Sequence, residues 1–236
     1  MSHFGDFEHA HPNPARAVTN EVTLRIIDAH NAHDVAAVAM LHRELLPGSP
    51  VAALGDAFMR RFYYGRLVED GLIGCHLAAN DDDSAGFLSW TLEPELGSAI
   101  IRRHPIPFAL AIARALITSP ARVGVLLKLA RFSRMRAPST VNTSELPAAS
   151  TAAASTAAVA PRTGELLSLA VRAAFRTREY RRVTNRKHSV ELLQAGVAAL
   201  HAGGVERFGA YVEHDNVPML RLTNRSAVNS FESQGR

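Results

Sequence analysis

The stretch that decides the fold runs from residue 165 to residue 212: ELLSLAVRAAFRTREYRRVTNRKHSVELLQAGVAALHAGGVERFGAYV. Residues 165–171 form a short apolar run behind one acid, which predicts a buried strand. Val190, Leu193, Val197 and Leu200 then recur at helical spacing, and Gly203 and Gly204 stop that helix. Residues 205–212 read as a second strand. A strand, a long helix and a further strand demand a crossover, so the two strands lie parallel in one sheet.

The preceding half supplies the rest of the sheet. Residues 22–27 alternate, with Val22, Leu24 and Ile26 set against Thr23, Arg25 and Ile27, and predict a first strand. Asn31 stands three residues before Asp34 as a helix start, and Val35, Val38, Leu41 and Leu45 follow at helical spacing up to Pro47 and Gly48. Ser49 and Pro50 open a second helix whose buried face is Leu54, Phe58 and Phe62. Residues 72–79 and 85–92 are strand-like and join through the acidic turn 81–84 as a hairpin.

Residues 105–136 differ in texture: two apolar helical runs broken at Ser119 and Pro120. The second run sets Val123, Leu126, Leu127 and Ala130 against Lys128, Arg131 and Arg134. Such a pair either caps the core or a substrate cleft, or lies on a membrane surface. Residues 137–163 are dominated by Ala, Ser, Thr and Pro and predict a flexible loop. A short helix near 218–223 and a strand near 227–231 are expected to close the chain.

The element order predicts an α/β (α+β) fold: a mixed twisted sheet flanked by helices, with a helical pair inserted before the central strand. It is expected to form a single domain over residues 21–236, behind a disordered polar tail, 1–20.

Composition narrows the function less than the fold. A hydrophobic fraction of 47% and a charged fraction of 20% suit an ordinary globular chain, enzyme or binding module. A formal charge of +4 and a pI near 9.7 point towards anionic partners. The single cysteine, Cys75, excludes an intramolecular disulfide and a cysteine-built metal site. It stands mid-strand among apolar residues, as a buried inert thiol would. Eleven histidines lie scattered without paired spacing, so no metal site is expected. The polar N-terminus and the lack of a long apolar run predict a soluble, cytoplasmic protein. Gly-x-Ser-x-Gly and GxxxxGK[ST] sequences are absent. The basic segment 176–187 has one aromatic residue, Tyr180, which argues against nucleic acid as a partner.

The order resembles that of the GCN5-related N-acetyltransferase family. Residues 165–171 are similar to its central strand, and residues 171–180 to the stretch leading into its phosphate loop. Gly204, the strand 205–212 and the pair Asp215 and Asn216 resemble the segment after its long helix. The resemblance covers roughly residues 21–232 and is most specific from Glu165 onward.

Acetyl-CoA as acyl donor and an amine of a small molecule or peptide as acceptor are what the resemblance implies. It places the cofactor in the splay between residues 169–171 and the parallel strand at 208–212. Leu169, Ala170 and Val171 would pair with the pantetheine arm, and Asn216 would fix the cofactor or the splay. The family's phosphate loop carries an Arg or Gln and two glycines, whose bare backbone closes around a pyrophosphate. Here the loop falls on residues 176–181 or on 184–189, and neither register has a glycine. Arg176, Arg178, Arg181, Arg182, Arg186 and Lys187 crowd the segment instead, with Ser189 at its end. Guanidinium forks could hold phosphates in place of backbone N–H groups; a solvated basic surface for an acidic partner is the alternative. Glu165 is the candidate base, or else an exposed strand end; Glu213 and His214 rank behind it. The position where the family often has an acidic Tyr falls at Thr223, which cannot donate a proton at neutral pH. The same fold could therefore serve as a catalytically degenerate domain that binds a ligand through its basic segment.

Overall fold

The β2–β3 hairpin organises the sheet, because its two strands bury side chains on both faces. The computed structural model describes residues 21–80, 83–93, 95–118, 124 and 162–210. The tail 1–20, most of the second apolar run with Val123, Leu126 and Lys128, and nearly all of the loop 137–163 lie outside the described residues, as do 211–236.

Among the described residues, five strands stand in sequence order across the sheet: β1 (Thr23–Ile26), β2 (Gly74–Ala79), β3 (Ser84–Thr91), β4 (Thr163–Val171) and β5 (Arg207–Ala210). Neighbours are antiparallel from β1 to β4, and β4 and β5 are parallel. The mixed sheet and its parallel pair are as the sequence predicts. β4 starts at Thr163, which the sequence assigns to the loop. Ile26 is 64% exposed and the next residue, Ile27, is buried, so the inward alternation of the first strand breaks at its end.

α1 (Ala32–Leu45) begins as read: the Asn31 side chain accepts from the N–H groups of His33 and Asp34. The second predicted helix is interrupted. Ser49 caps α2 (Pro50–Ala53), and Gly55, at φ 97°, breaks the chain before α3 (Asp56–Phe58). A π-helical segment, Met59–Arg66, then carries the helix on to α4 (Leu67–Glu69). The extra residue per turn brings Phe62, Tyr63 and Tyr64 all into the core, a pattern that no regular helical period gives. Before the central strand stand α5 (Leu96–Arg103), which the sequence reading missed, and α6 (Pro105–Thr118).

Two apolar layers sandwich the sheet. One holds Val38, Leu41, Tyr64, Leu77 and Phe87 beneath α1 and the π-helical segment. The other holds Leu88, Trp90, Leu166, Leu192 and Leu200 beneath the long crossover helix, His188–Ala202. That helix approaches β3 closely enough that a Cβ on Gly196 would stand 2.4 Å from a Leu88 methyl.

Candidate functional site

β4 is bent where the resemblance would put a ligand. Ser168 faces Ser89, but Leu166 faces Trp90, which leaves Leu167 as an extra residue, a β-bulge. The parallel ladder to β5 runs from the Thr163 and Arg207 pair to the Leu166 and Ala210 pair. Ala210 is the last described residue of β5, and residues 168–171 pair with β3 on the other edge of β4. In this register Phe208 stands opposite Gly164. Leu169 is half-buried, and Ala170 and Val171 are buried.

Glu165 is not an exposed strand end. It is 7% exposed, opposite Thr91 on one side and Gly209 on the other. Its carboxylate lies near Tyr63, whose hydroxyl is pushed well above its ordinary range by burial first, then by Cys75 and Glu165, against a lowering by Ser89. The Ser89 hydroxyl is fully buried beside the Tyr63 and Tyr64 hydroxyls. Burial likewise drives the Cys75 thiol far upward, so it stays protonated. Beside this group, His42 is bracketed by the Tyr64 hydroxyl at 2.6 Å and the Ser49 hydroxyl at 2.7 Å, and it stacks on Phe87. Burial lowers its pKa to about 4, so the imidazole is neutral. Sequence reasoning missed Tyr63, Ser89 and His42 because only the irregular helix brings the tyrosines to the sheet.

The basic segment is a helix rather than a loop. After a 3₁₀ turn, Ala173–Arg176, Thr177 caps α7 (Arg178–Thr184) by accepting from the Tyr180 N–H at 3.1 Å. Arg176, Arg178, Arg182 and Lys187 are exposed. Arg181, also exposed, donates to the carbonyls of Arg176 and Thr177. Arg186 is committed inward: it grips both Glu191 oxygens, at 3.1 and 2.7 Å, and donates to the Val22 carbonyl.

The two possible loop registers differ in geometry. Residues 176–181 run from the 3₁₀ turn into α7, whereas residues 184–189 form the turn into α8 (His188–Ala202). Asn185 stands there at φ 53°, ψ 23°, the one positive-φ residue other than glycine among those described. Asparagine tolerates this left-handed conformation better than most residues, so it occupies a position suited to glycine. Behind the turn, the buried His188 meets the Tyr180 hydroxyl at 2.8 Å and Glu191 at 3.1 Å. At the start of α8 the Val190 and Glu191 N–H groups donate to the Lys187 carbonyl at 2.8 and 3.1 Å, and those of His188 and Ser189 have no acceptor within the helix.

Two further features border this end of the sheet. Arg172, just past β4, bridges Glu44 of α1 at 2.7 Å and Asp83 at 2.5 Å, and so ties α1 to the hairpin. A cavity of about 270 Å³ lies between α1 and the hairpin, lined by His33, Met40, Arg60, Asn80, Asp83 and Ser84. It contains none of the residues singled out from the sequence. Asn216, Glu213, His214 and Thr223 lie outside the described residues.

No family model matches the chain, and no curated protein matches its sequence. Among solved structures, it is similar to an aminoglycoside N-acetyltransferase, AAC(6')-Iy, in complex with CoA: 10% identity over 87% of this chain and 86% of that one, TM-score 0.47. It is also similar to an aminoglycoside acetyltransferase from an uncultured soil metagenomic sample, in complex with sisomicin: 7% identity over 86% of each chain, TM-score 0.43. A third is a ribosomal-protein-alanine N-acetyltransferase from Brucella melitensis: 11% identity over 86% of this chain and 89% of that one, TM-score 0.40. The strand order and the parallel β4–β5 pair, not these low-identity likenesses, carry the fold assignment.

Proposed function

We propose that this chain is an acetyl-CoA-dependent N-acetyltransferase acting on an amine of a small molecule or peptide. One observation supports this reading most. The central strand carries a bulge at Leu167, and beyond Val171 the chain returns through a left-handed residue into the start of α8. A bulged strand and a helix N-terminus on one connection suit an extended ligand with an anionic end.

In this reading the backbone of Leu169, Ala170 and Val171 takes the pantetheine arm. The exposed Arg176, Arg178 and Lys187, with the first N–H groups of α8 around Ser189, hold the phosphates. Arg181 and Arg186 act differently from the others: bound to carbonyls and to Glu191, they shape the turn. Asn216 is proposed to fix the cofactor or the strand end. Bound acetyl-CoA supplies the thioester carbonyl that an amine attacks. Glu165 accepts the proton the amine loses, from a buried position beside Tyr63. Positioning supplies much of the rest of the rate, as it does for bound pairs generally.

A second reading keeps the fold and drops the chemistry. A specific observation favours it: Glu191, pinned by Arg186 and His188, puts a carboxylate near the start of α8, where an anion would sit. The domain would then bind an acidic partner through its exposed arginines.

Thiol release from acetyl-CoA in the presence of a panel of amines tests the first reading. Turnover that falls about a hundredfold or more in Glu165→Gln, with an unchanged melting temperature, supports the assigned base. An unchanged KM for acetyl-CoA in Arg178→Ala, Lys187→Ala would remove the phosphates from the basic segment. Absence of turnover with every amine favours the second reading.

A further inference from the structure

α6 is apolar on two sides, and among the described residues only one of them is covered. Phe108, Ala111, Ile112 and Ala115 face inward and pack on the core. Ile106, Leu110, Ala113 and Ile117 repeat at intervals of four, three and four residues along the outer side, and all are exposed. The three large ones are 70%, 58% and 81% exposed, and Ile101 of the neighbouring α5 is 59% exposed. Isolated exposed aliphatic residues are ordinary, but a stripe along a whole helix, beside a fifth residue of the same kind, marks an interaction surface.

The charge carried by α5 and α6 themselves has one sign. Between residues 96 and 118 the charged side chains are Arg102, Arg103 and Arg114, all exposed. Arg103 meets Glu93 at 2.5 Å on the rim, while Arg102 and Arg114 form no ion pair among the described residues. The sequence extends this bias. From residue 96 to residue 144 it holds eight of the chain's 26 Lys and Arg and none of its 22 Asp and Glu. That run carries +8 and the remaining residues −4, so the modest net charge hides a strong separation.

We infer that the outer face of α5 and α6 docks the protein on an anionic lipid surface. Apolar side chains flanked by arginines, with no acid among them, suit the boundary between headgroups and acyl chains. A second copy of the chain fits less well. A two-fold contact through this face would set Arg102 and Arg114 of each copy against the same arginines of the other. No described helix is long and apolar enough to cross a membrane. The inference rests on this face alone and is independent of the proposed chemistry.

Sedimentation of the full chain with vesicles tests it. Phosphatidylcholine vesicles containing phosphatidylglycerol should pull the protein down, and phosphatidylcholine alone should not. Raising the salt to about 0.5 M should release it, because the charges are then screened over a few ångströms. Arg102→Gln, Arg114→Gln should weaken binding about tenfold or more, and Leu110→Asp, Ile117→Asp should abolish it with an unchanged circular dichroism spectrum. Should that last variant misfold, the lipid and salt comparisons on the native chain decide. Failure to bind phosphatidylglycerol vesicles at low salt overturns the inference, as does equal binding to both lipids. A concentration-dependent dimer lost in Leu110→Asp would instead give the face to a second copy.

Discussion

The Tyr180 hydroxyl lies 2.8 Å from Nε2 of His188, tying the body of α7 to the start of α8 across the left-handed Asn185. His188 is 1% exposed, and its other nitrogen faces Glu191, which cannot donate when ionised. The arrangement therefore fixes the tautomer: Nδ1–H donates to the carboxylate, and Nε2 accepts from the phenol. The turn that the proposed phosphate site needs is thus held from behind by a buried network instead of being left open by glycines.

Asn185 should bear that constraint alone. Asn185→Gly should leave stability within a few tenths of a kcal/mol or raise it, since glycine has no Cβ penalty at φ 53°. Asn185→Val should cost about 1–2 kcal/mol. Urea unfolding of the two variants side by side reads the difference, and equal losses would mean that the turn is not left-handed in solution.

Glu191 should oppose a bound phosphate group. Glu191→Gln should tighten acetyl-CoA several-fold by removing a nearby like charge, worth about 1 kcal/mol near a wet surface. The same change should lower stability by up to about 1 kcal/mol, because Arg186 loses its partner. Unchanged affinity would place the phosphates away from the start of α8.

Stability should fall in mild acid, and His42 should account for much of the fall. Its pKa is held at about 4 by burial, against an ordinary value near 6.5. Above the ordinary value both folded and unfolded chains hold the ring neutral, so this group adds no pH dependence there. Below it the unfolded chain takes up a proton that the folded chain refuses. Stability then drops as pH falls from 6.5 to 4, by about 3 kcal/mol in total. His76 and His188 are lowered by burial in the same direction, and Asp34, held down by Arg25, adds to the loss at lower pH. Denaturant unfolding at about pH 7.5 and about pH 5 measures the slope. His42→Gln should reduce it, and an unaltered slope would contradict the assignment.

The contact between α8 and β3 should be intolerant of bulk. Gly196→Ala puts a methyl 2.4 Å from Leu88 Cδ2, and overpacking of this kind costs about 1–3 kcal/mol. Thermal unfolding checks it. A neutral result would mean that α8 stands further from the sheet.

How much of the fold was legible in the sequence depends on the range of the signals. Asn31, the apolar spacing of α1 and α8, and the runs of β2, β3 and β4 are local and periodic, and all appear in the structure. The π-helical segment has no such signature, so the inward turn of Tyr63 and Tyr64 and the setting of Glu165 beside them could not be read. The eight-residue offset between the two loop registers has a physical source in α7, the short helix between β4 and α8. Its cap, Thr177 followed three residues later by Tyr180, was visible but was obscured by the density of arginines around it. Arg186 looked like a phosphate ligand because its partner, Glu191, sits one turn into the next helix. α5 went unread because Glu95 makes no side-chain cap and Gly97 weakens its first turn.

Calorimetric titration with acetyl-CoA, with dephospho-CoA beside it, decides whether the chain binds the acyl donor. Acetyl-CoA should bind at micromolar concentration, more weakly when the 3′-phosphate is removed and more weakly again in Arg178→Ala, Lys187→Ala. No heat at millimolar acetyl-CoA would contradict the proposed function, leaving a mixed sheet whose basic helix serves another partner.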